Sequence, residues 1–197
     1  MRKLICTAAF FGVFLIHGAA QGQQVDLAFG VSNMIAPSAS SASGNHSPVT
    51  LSGGAYPVIS GDILFKHSYG INGEVAWRGG QALYGGLAPM RPIFFDFNGI
   101  WAPRLHKKVG ADLMAGIGAE DLRFYTPYFN CSFTCTNYVT SKHFMGHFGA
   151  DLRLYVHGNF FVRPEAHWYL INNNQEFSSN YASRYGISIG YTFFGRE

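Results

Sequence analysis

From residue 25 onward, large apolar side chains recur at every second position, and small or charged residues fill the positions between. The last such stretch is the clearest. Tyr185, Ile187, Ile189, Tyr191 and Phe193 alternate with Gly186, Ser188, Gly190 and Thr192. A period of two belongs to a β-strand, whose successive side chains point to opposite faces. The same period predicts seven earlier strands: Val25–Asn33, Tyr56–Phe65, Ile71–Gly79, Pro92–Ala102, Val109–Tyr125, Lys142–Tyr155 and Phe160–Ile171. With Tyr181–Phe194 this makes eight strands in a single domain. The connections alternate in length. Lys66–Gly70, Pro103–Lys108 and Val156–Asn159 are short; Asn33–Ala55, Gly80–Arg91, Thr126–Ser141 and Asn172–Asn180 are long. Short and long links in alternation are expected of an up-and-down antiparallel sheet. The first long link, rich in Ser, Gly and Ala, carries no periodic pattern.

The front of the chain reads differently. Arg2 and Lys3 precede an apolar run, Leu4–Ile16, and Gly18-Ala19-Ala20 supplies small residues for cleavage. This is the pattern of a secretory signal peptide, expected over residues 1–22, with the mature domain over 23–197. Thirteen apolar residues fall short of the ~20 needed to span a bilayer as a helix. Without Arg2 and Lys3, twelve basic residues oppose eleven acidic ones, and the net charge is near +1. That balance, with no basic patch, excludes nucleic acid as an expected partner.

Composition decides what the two faces of the strands meet. Charged residues are only 13% of the chain, against about 25% in a typical soluble domain. Aromatic residues reach 16%. A water-facing strand favours Lys, Glu, Thr and Gln. Here the polar face carries Asp, Glu, Arg, His and Gly, groups that neutralise one another in a closed interior. Arginine suits that role because its planar fork binds carboxylates in bidentate fashion. The expected lumenal charges are Asp62, Glu74, Arg78, Asp96, Asp112, Asp151, Arg153, Arg163, Glu165 and Arg184. The small residues of the last strand are expected to leave room for long charged side chains from across the lumen. The opposite face carries too many large rings to fit inside an eight-stranded barrel. Outside they face lipid, with Phe65, Trp101, Phe160 and Tyr191 at one rim and Trp77, Phe144, Trp168 and Tyr185 at the other. Backbone groups in lipid must all be paired, so the last strand is expected to close on the first. The fold class predicted is all-β: an eight-stranded antiparallel up-and-down transmembrane β-barrel with a filled polar lumen.

The mature chain resembles the small eight-stranded outer-membrane barrels of Gram-negative bacteria, namely the OmpA-type transmembrane domain, OmpX and the opacity-type surface proteins. The resemblance rests on the alternating turns and loops, the charged polar face and the last strand ending in an aromatic residue. It implies outer-membrane lipid as surroundings, short turns on the periplasmic side, long loops outside and a monomer. It also implies that the barrel-assembly machinery reads Tyr185, Ile187, Ile189, Tyr191 and Phe193 as an assembly signal. The role implied is structural or surface-interacting, with a surface or host ligand met by the loops. A narrow porin-like channel is the alternative, and a lipid-modifying barrel enzyme the second. Barrel deacylases of that group carry a His-x-Ser pair, and none of the eight histidines here has Ser two residues later. Cys131 and Cys135, three residues apart in an exported chain, are expected to form a disulfide at a loop tip. His143 and His147 share a strand face but lie roughly 14 Å apart by the strand rise. They are read as lumenal hydrogen-bonding groups. No cofactor, metal or catalytic residue is expected.

Overall fold

The computed structural model describes residues 24–37, 50–65, 68–131, 135–177 and 179–194, with backbone only at 129–131. The expected signal peptide, Lys66 and most of the first long link lie outside these residues. Ten strands are present: β1 (Gln24–Ile35), β2 (Ala55–Phe65), β3 (Tyr69–Trp77), β4 (Ala82–Tyr84), β5 (Ala88–Trp101), β6 (Arg104–His106), β7 (Val109–Cys131), β8 (Cys135–His157), β9 (Phe160–Ile171) and β10 (Tyr181–Phe194). Eight of them form a closed antiparallel ring in the order β1, β2, β3, β5, β7, β8, β9, β10. The ring closes where β10 pairs with β1, from Val25 opposite Phe194 to Ile35 opposite Ser183. β4 and β6 are short flaps on β5 and β7. The fold is an eight-stranded up-and-down β-barrel.

Alternation sorts the side chains. Phe29, Phe97, Phe144, Ile187 and Ile189 stand outside, each more than half exposed. Tyr185 and Phe193 join them on the outer face. Asp62, Asp112, Arg163 and Arg184 are buried within. An apolar outer face around a charged interior is the reverse of a soluble barrel, and it fits hydrocarbon surroundings. All four long connections leave one end of the barrel, because each joins an up strand to a down strand.

The small face of β10 has a different cause from the one expected. A Cβ at Gly190 would lie 2.2 Å from the Phe161 ring, so this glycine makes room for an aromatic side chain rather than a charged one. A Cβ at Gly186 would lie 2.5 Å from Cβ of Ser32, so here the neighbouring strand itself comes too close for a side chain. Ser188 and Thr192 serve charges directly, the first donating to Glu165 and the second hydrogen-bonded to Asp26.

Two long links are more ordered than their composition suggests. The described residues of Thr126–Ser141 are strand rather than loop: β7 and β8 continue, with a register shift between Tyr125 and Asn130, until Cys131 faces Cys135. Rings hold the extension, with Tyr125 edge-on to Tyr138 at 5.9 Å and the Arg123 guanidinium 5.0 Å from the Tyr138 centroid. Within Gly80–Arg91, β4 folds back on β5 through Gly85 and Gly86, both at positive φ, which glycine adopts without steric cost.

Candidate functional site

The lumen is filled from end to end in layers. At the short-turn end Leu64, Ile100, Ala102 and Met114 form one small apolar cluster, and Ala28, Tyr155 and Phe161 another. A pocket of about 20 Å³ beside Gln24, Asp112 and Arg153 remains there, room for roughly one water.

Ion pairs occupy the next layer. Arg153 reaches Asp26 at 2.5 Å, grips Asp112 through Nε and Nη2 at 3.1 and 2.8 Å, and lies 3.5 Å from Asp62. Arg163 contacts Asp62 at 3.1 Å, Glu165 at 3.0 Å and Asp151 at 3.7 Å, and donates to Ser60. Arg184 donates to Glu74. Asp96 accepts from Asn98 at 2.6 Å. Nine of the ten lumenal charges named from the sequence are therefore buried in one connected network. Arg78 is the exception. It is half-buried at the long-connection end, packed against Gly54.

Several members of the site were not singled out from the sequence. Asp26 is buried and pairs with Arg153. Asn72 and Asn98 pass hydrogen bonds from Asp62 toward the centre. His147 and His167 are fully buried, with 2.8 Å between Nε2 of the first and Nδ1 of the second. The sequence already reads His147 as a lumenal hydrogen-bonding group, and it is one; His167, also at an inward position of its strand, could have been nominated by parity. Above them rings stack in a column. His167 lies edge to edge with His147, nearly coplanar at 5.0 Å between centroids, while His147 stacks on Tyr169 at 5.0 Å and Tyr169 on Phe94 at 5.1 Å.

The top of the column enters an apolar plug, which corrects the expectation of a wholly polar lumen. Met34, Leu51, Tyr56, Met90, Phe94 and Met145 are buried together there, with other side chains from four further elements. Phe177 comes from the last long connection and packs edge-on to Tyr84 at 5.8 Å. Tyr84 in turn donates to the Glu176 carbonyl at 2.8 Å. Glu120 is buried near this level with neither carboxylate oxygen hydrogen-bonded. These rings and methionines escaped sequence reading because runs such as Ile93-Phe94-Phe95 are apolar on both faces.

Outside the plug, connection 172–180 docks on β8. Ser141 donates to Glu176 at 2.5 Å, and Glu176 lies 3.1 Å from His143 Nε2. Partial burial would raise the Glu176 carboxyl. The Ser141 hydroxyl, its own backbone amide and His143 outweigh that effect and hold it below the ordinary range.

Comparison with known proteins places the fold. No protein-family model matches the chain, and no curated protein matches it. Solved structures do. Ail, the attachment invasion locus protein of Yersinia pestis, solved with the heparin analogue sucrose octasulfate, is 12% identical with a TM-score of 0.59. The match covers 88% of this chain and 100% of that one. Neisserial surface protein A is 8% identical with a TM-score of 0.57, over 88% and 98% of the two chains. The N-terminal barrel domain of Pseudomonas aeruginosa OprF is 12% identical with a TM-score of 0.55, again over 88% and 98%. The chain thus has the fold of the small eight-stranded outer-membrane β-barrels. At these identities the likeness speaks for the fold alone.

Proposed function

We propose that the chain is exported through a cleaved signal peptide, residues 1–22. Residues 23–197 then act as a monomeric outer-membrane barrel that presents its long connections to a ligand outside the cell. The observation that carries this reading is the layered filling of the lumen. A barrel sealed by ion pairs and an apolar plug leaves its loops as the place for function, since a rigid scaffold with variable loops is a common way to hold a binding surface. Among the described residues β7 and β8 are the longest strands, 23 residues each, and carry the ladder beyond the length of the other strands. Arg123 at the base of this hairpin and Arg91 on the neighbouring β5 each lie over one of its tyrosine rings, and Tyr128 is exposed farther out on β7. Such groups hydrogen-bond and stack on a partner.

Several finer points belong to the same reading. The aromatic and aliphatic outer face of β10, from Tyr185 to Phe193, serves as the assembly signal for insertion. A Cys131–Cys135 bridge ties the hairpin end, supported by the direct ladder pairing of the two residues. The protein performs no catalysis and does not conduct.

Two measurements test the proposal. Reconstituted in planar bilayers, the barrel gives no resolved single-channel steps; stable openings would replace the binding role with a narrow channel. An epitope inserted after Leu87, at an exposed turn, is labelled on intact Gram-negative cells, and one inserted after Lys107 is not. Reversed labelling would invert the assigned faces.

A further inference from the structure

The histidine pair is one proton short. Asn72 donates to the carboxylate of Asp62 at 2.6 Å, which fixes its amide orientation. Its carbonyl oxygen therefore accepts from Asn98 Nδ2 at 2.8 Å, and Nδ2 also donates to Asp96. Asn98 is thus fixed too, and its Oδ1 faces His147 Nδ1 at 2.7 Å, with Asp96 3.4 Å away. Two acceptors oblige Nδ1 of His147 to carry a proton. A second proton lies between Nε2 of His147 and Nδ1 of His167. These two contacts place one proton per ring, and Nε2 of His167 has no hydrogen-bond partner. Nε2 of His167 then points a bare lone pair at Asp151 Oδ1, 3.4 Å away, and Glu165 Oε2, 3.9 Å away. Three acceptors meet with nothing between them.

The spacing indicates what fills the gap. Charge-assisted hydrogen bonds close to about 2.7–2.9 Å, and these contacts stay well beyond that. Donor atoms sharing a tetrahedral zinc at 2.0–2.2 Å lie roughly 3.4 Å from one another. Glu74, Glu165 and His167 also present ligand atoms that all lie within 4.8 Å of one another, Glu74 Oε1 coming to 4.0 Å from the Nδ1 edge of the His167 ring and Glu165 Oε2 to 3.9 Å from Nε2. Each of the three is held on one side and bare on the other. His167 is held through Nδ1 by His147, Glu165 through Oε1 by Arg163 and Ser188, and Glu74 through Oε1 by Arg184. Nε2 of His167, Oε2 of Glu165 and Oε2 of Glu74 are buried without a hydrogen-bond partner. Outer partners that orient a ligand and leave its coordinating atom free are characteristic of metal sites. The surrounding charge agrees: Asp26, Asp62, Glu74, Asp96, Asp112, Asp151 and Glu165 face only Arg153, Arg163 and Arg184.

We propose that the lumen binds one zinc ion through Nε2 of His167 and one oxygen each of Glu165 and Glu74, with Asp151 the nearest fourth donor. A nitrogen donor and so few ligands favour zinc over calcium or magnesium, which want six or more oxygens. Packed layers above and below mean that the ion enters during folding. It then clamps β3 to β9 across the lumen.

The full mature chain, unfolded with a chelator present, is refolded in detergent micelles with or without equimolar zinc. It is then gel-filtered and assayed for metal. Wild type refolded with zinc should retain about one ion per chain and lose it on H167Q, while H143Q keeps it. ¹⁵N shifts of the histidine rings supply a readout that needs no variant. A metal-bound Nε2 on His167 supports the site. Wild type refolded with zinc whose two rings together carry three protons overturns it, a proton then filling the gap in place of the ion. Equal zinc in H167Q and wild type overturns it as well, since the ion would lie elsewhere.

Discussion

Arg153 is the sharpest test of the charged layer. It is almost fully buried and is the main cationic partner of two aspartates, Asp26 at 2.5 Å and Asp112, whose Oδ2 accepts from both Nη2 and Nε at 2.8 and 3.1 Å. Arg153→Ala leaves both carboxylates buried without that cation, while Asp62 keeps Arg163. Breaking a buried pair in this way costs ~3–5 kcal/mol. The guanidinium also sits 5.4 Å from the Phe161 ring centroid, a contact worth ~0.5–2 kcal/mol. Arg153→Lys keeps the charge and the stem but loses the fork, so its cost is a fraction of that, about 1–2 kcal/mol. Lys107→Ala, in an exposed turn, changes stability by less than ~0.5 kcal/mol. Urea unfolding in detergent, followed by loss of heat-modifiable migration on gels, ranks the three variants. The double variant with Asp112→Asn should recover part of the loss, because one stranded charge disappears. Equal midpoints for Arg153→Ala and Lys107→Ala would refute the claim that the layer is a dry ion-pair network.

Three further outcomes follow from the structure. Gly190→Val drives a side chain into the Phe161 ring and should destabilise by ~1–3 kcal/mol, with partial recovery on adding Phe161→Leu; an unchanged urea midpoint would mean that this ring does not fill the lumen. Glu176 is held below its ordinary carboxyl range, so its contact with Ser141 and His143 stabilises above the unfolded value and is lost as pH falls through the folded one. Resistance of connection 172–180 to proteolysis should therefore fall on acidification in wild type and show no such dependence in Glu176→Gln. Replacing both Cys131 and Cys135 with Ser should leave the unfolding midpoint nearly unchanged, since a ring with three residues between the cysteines removes little chain entropy; a large drop would show that the hairpin end supports the barrel.

How much of this was legible depends on which physical rule wrote each position. Lipid exposure writes the outer face strictly, because a charge there costs several kcal/mol at the midplane. Phe29, Phe97 and Ile187 could therefore be placed from parity alone, and closure of the ring followed from backbone pairing. The inner face obeys a looser rule. It must only fill a fixed volume and leave no charge unpaired, and this is met by Arg153 with Asp112 or equally by Met34 against Tyr56. Inward apolar residues are then indistinguishable from outward ones in a run such as Ile93-Phe94-Phe95, and the plug stayed hidden. The links are written by neither rule. Thr126–Ser141 looked like a loop because its membrane-facing pattern ends, yet Tyr125, Tyr138 and Arg123 carry the ladder onward by packing on one another.

The sequence places His147 in the lumen, but its partnership with His167 was hidden for a further reason. Its meaning lies in a relay across five strands, from Asp62 on β2 through Asn72 on β3 and Asn98 on β5 to His147 on β8 and His167 on β9. No stretch of sequence contains a metal motif, because Glu74 comes from β3 while Glu165 and His167 come from β9. A barrel makes such convergence easy, since every inward position faces several strands at once. It also makes it invisible to spacing rules, which see only neighbours along the chain. The sequence reads as a balance of inward carboxylates and guanidiniums; the structure shows the imbalance that such a site must resolve, with more buried carboxylates than buried guanidiniums. Any chain with that excess has to neutralise it with protons or with a metal ion. The bare Nε2 of His167 and the distances to its carboxylate neighbours favour the ion.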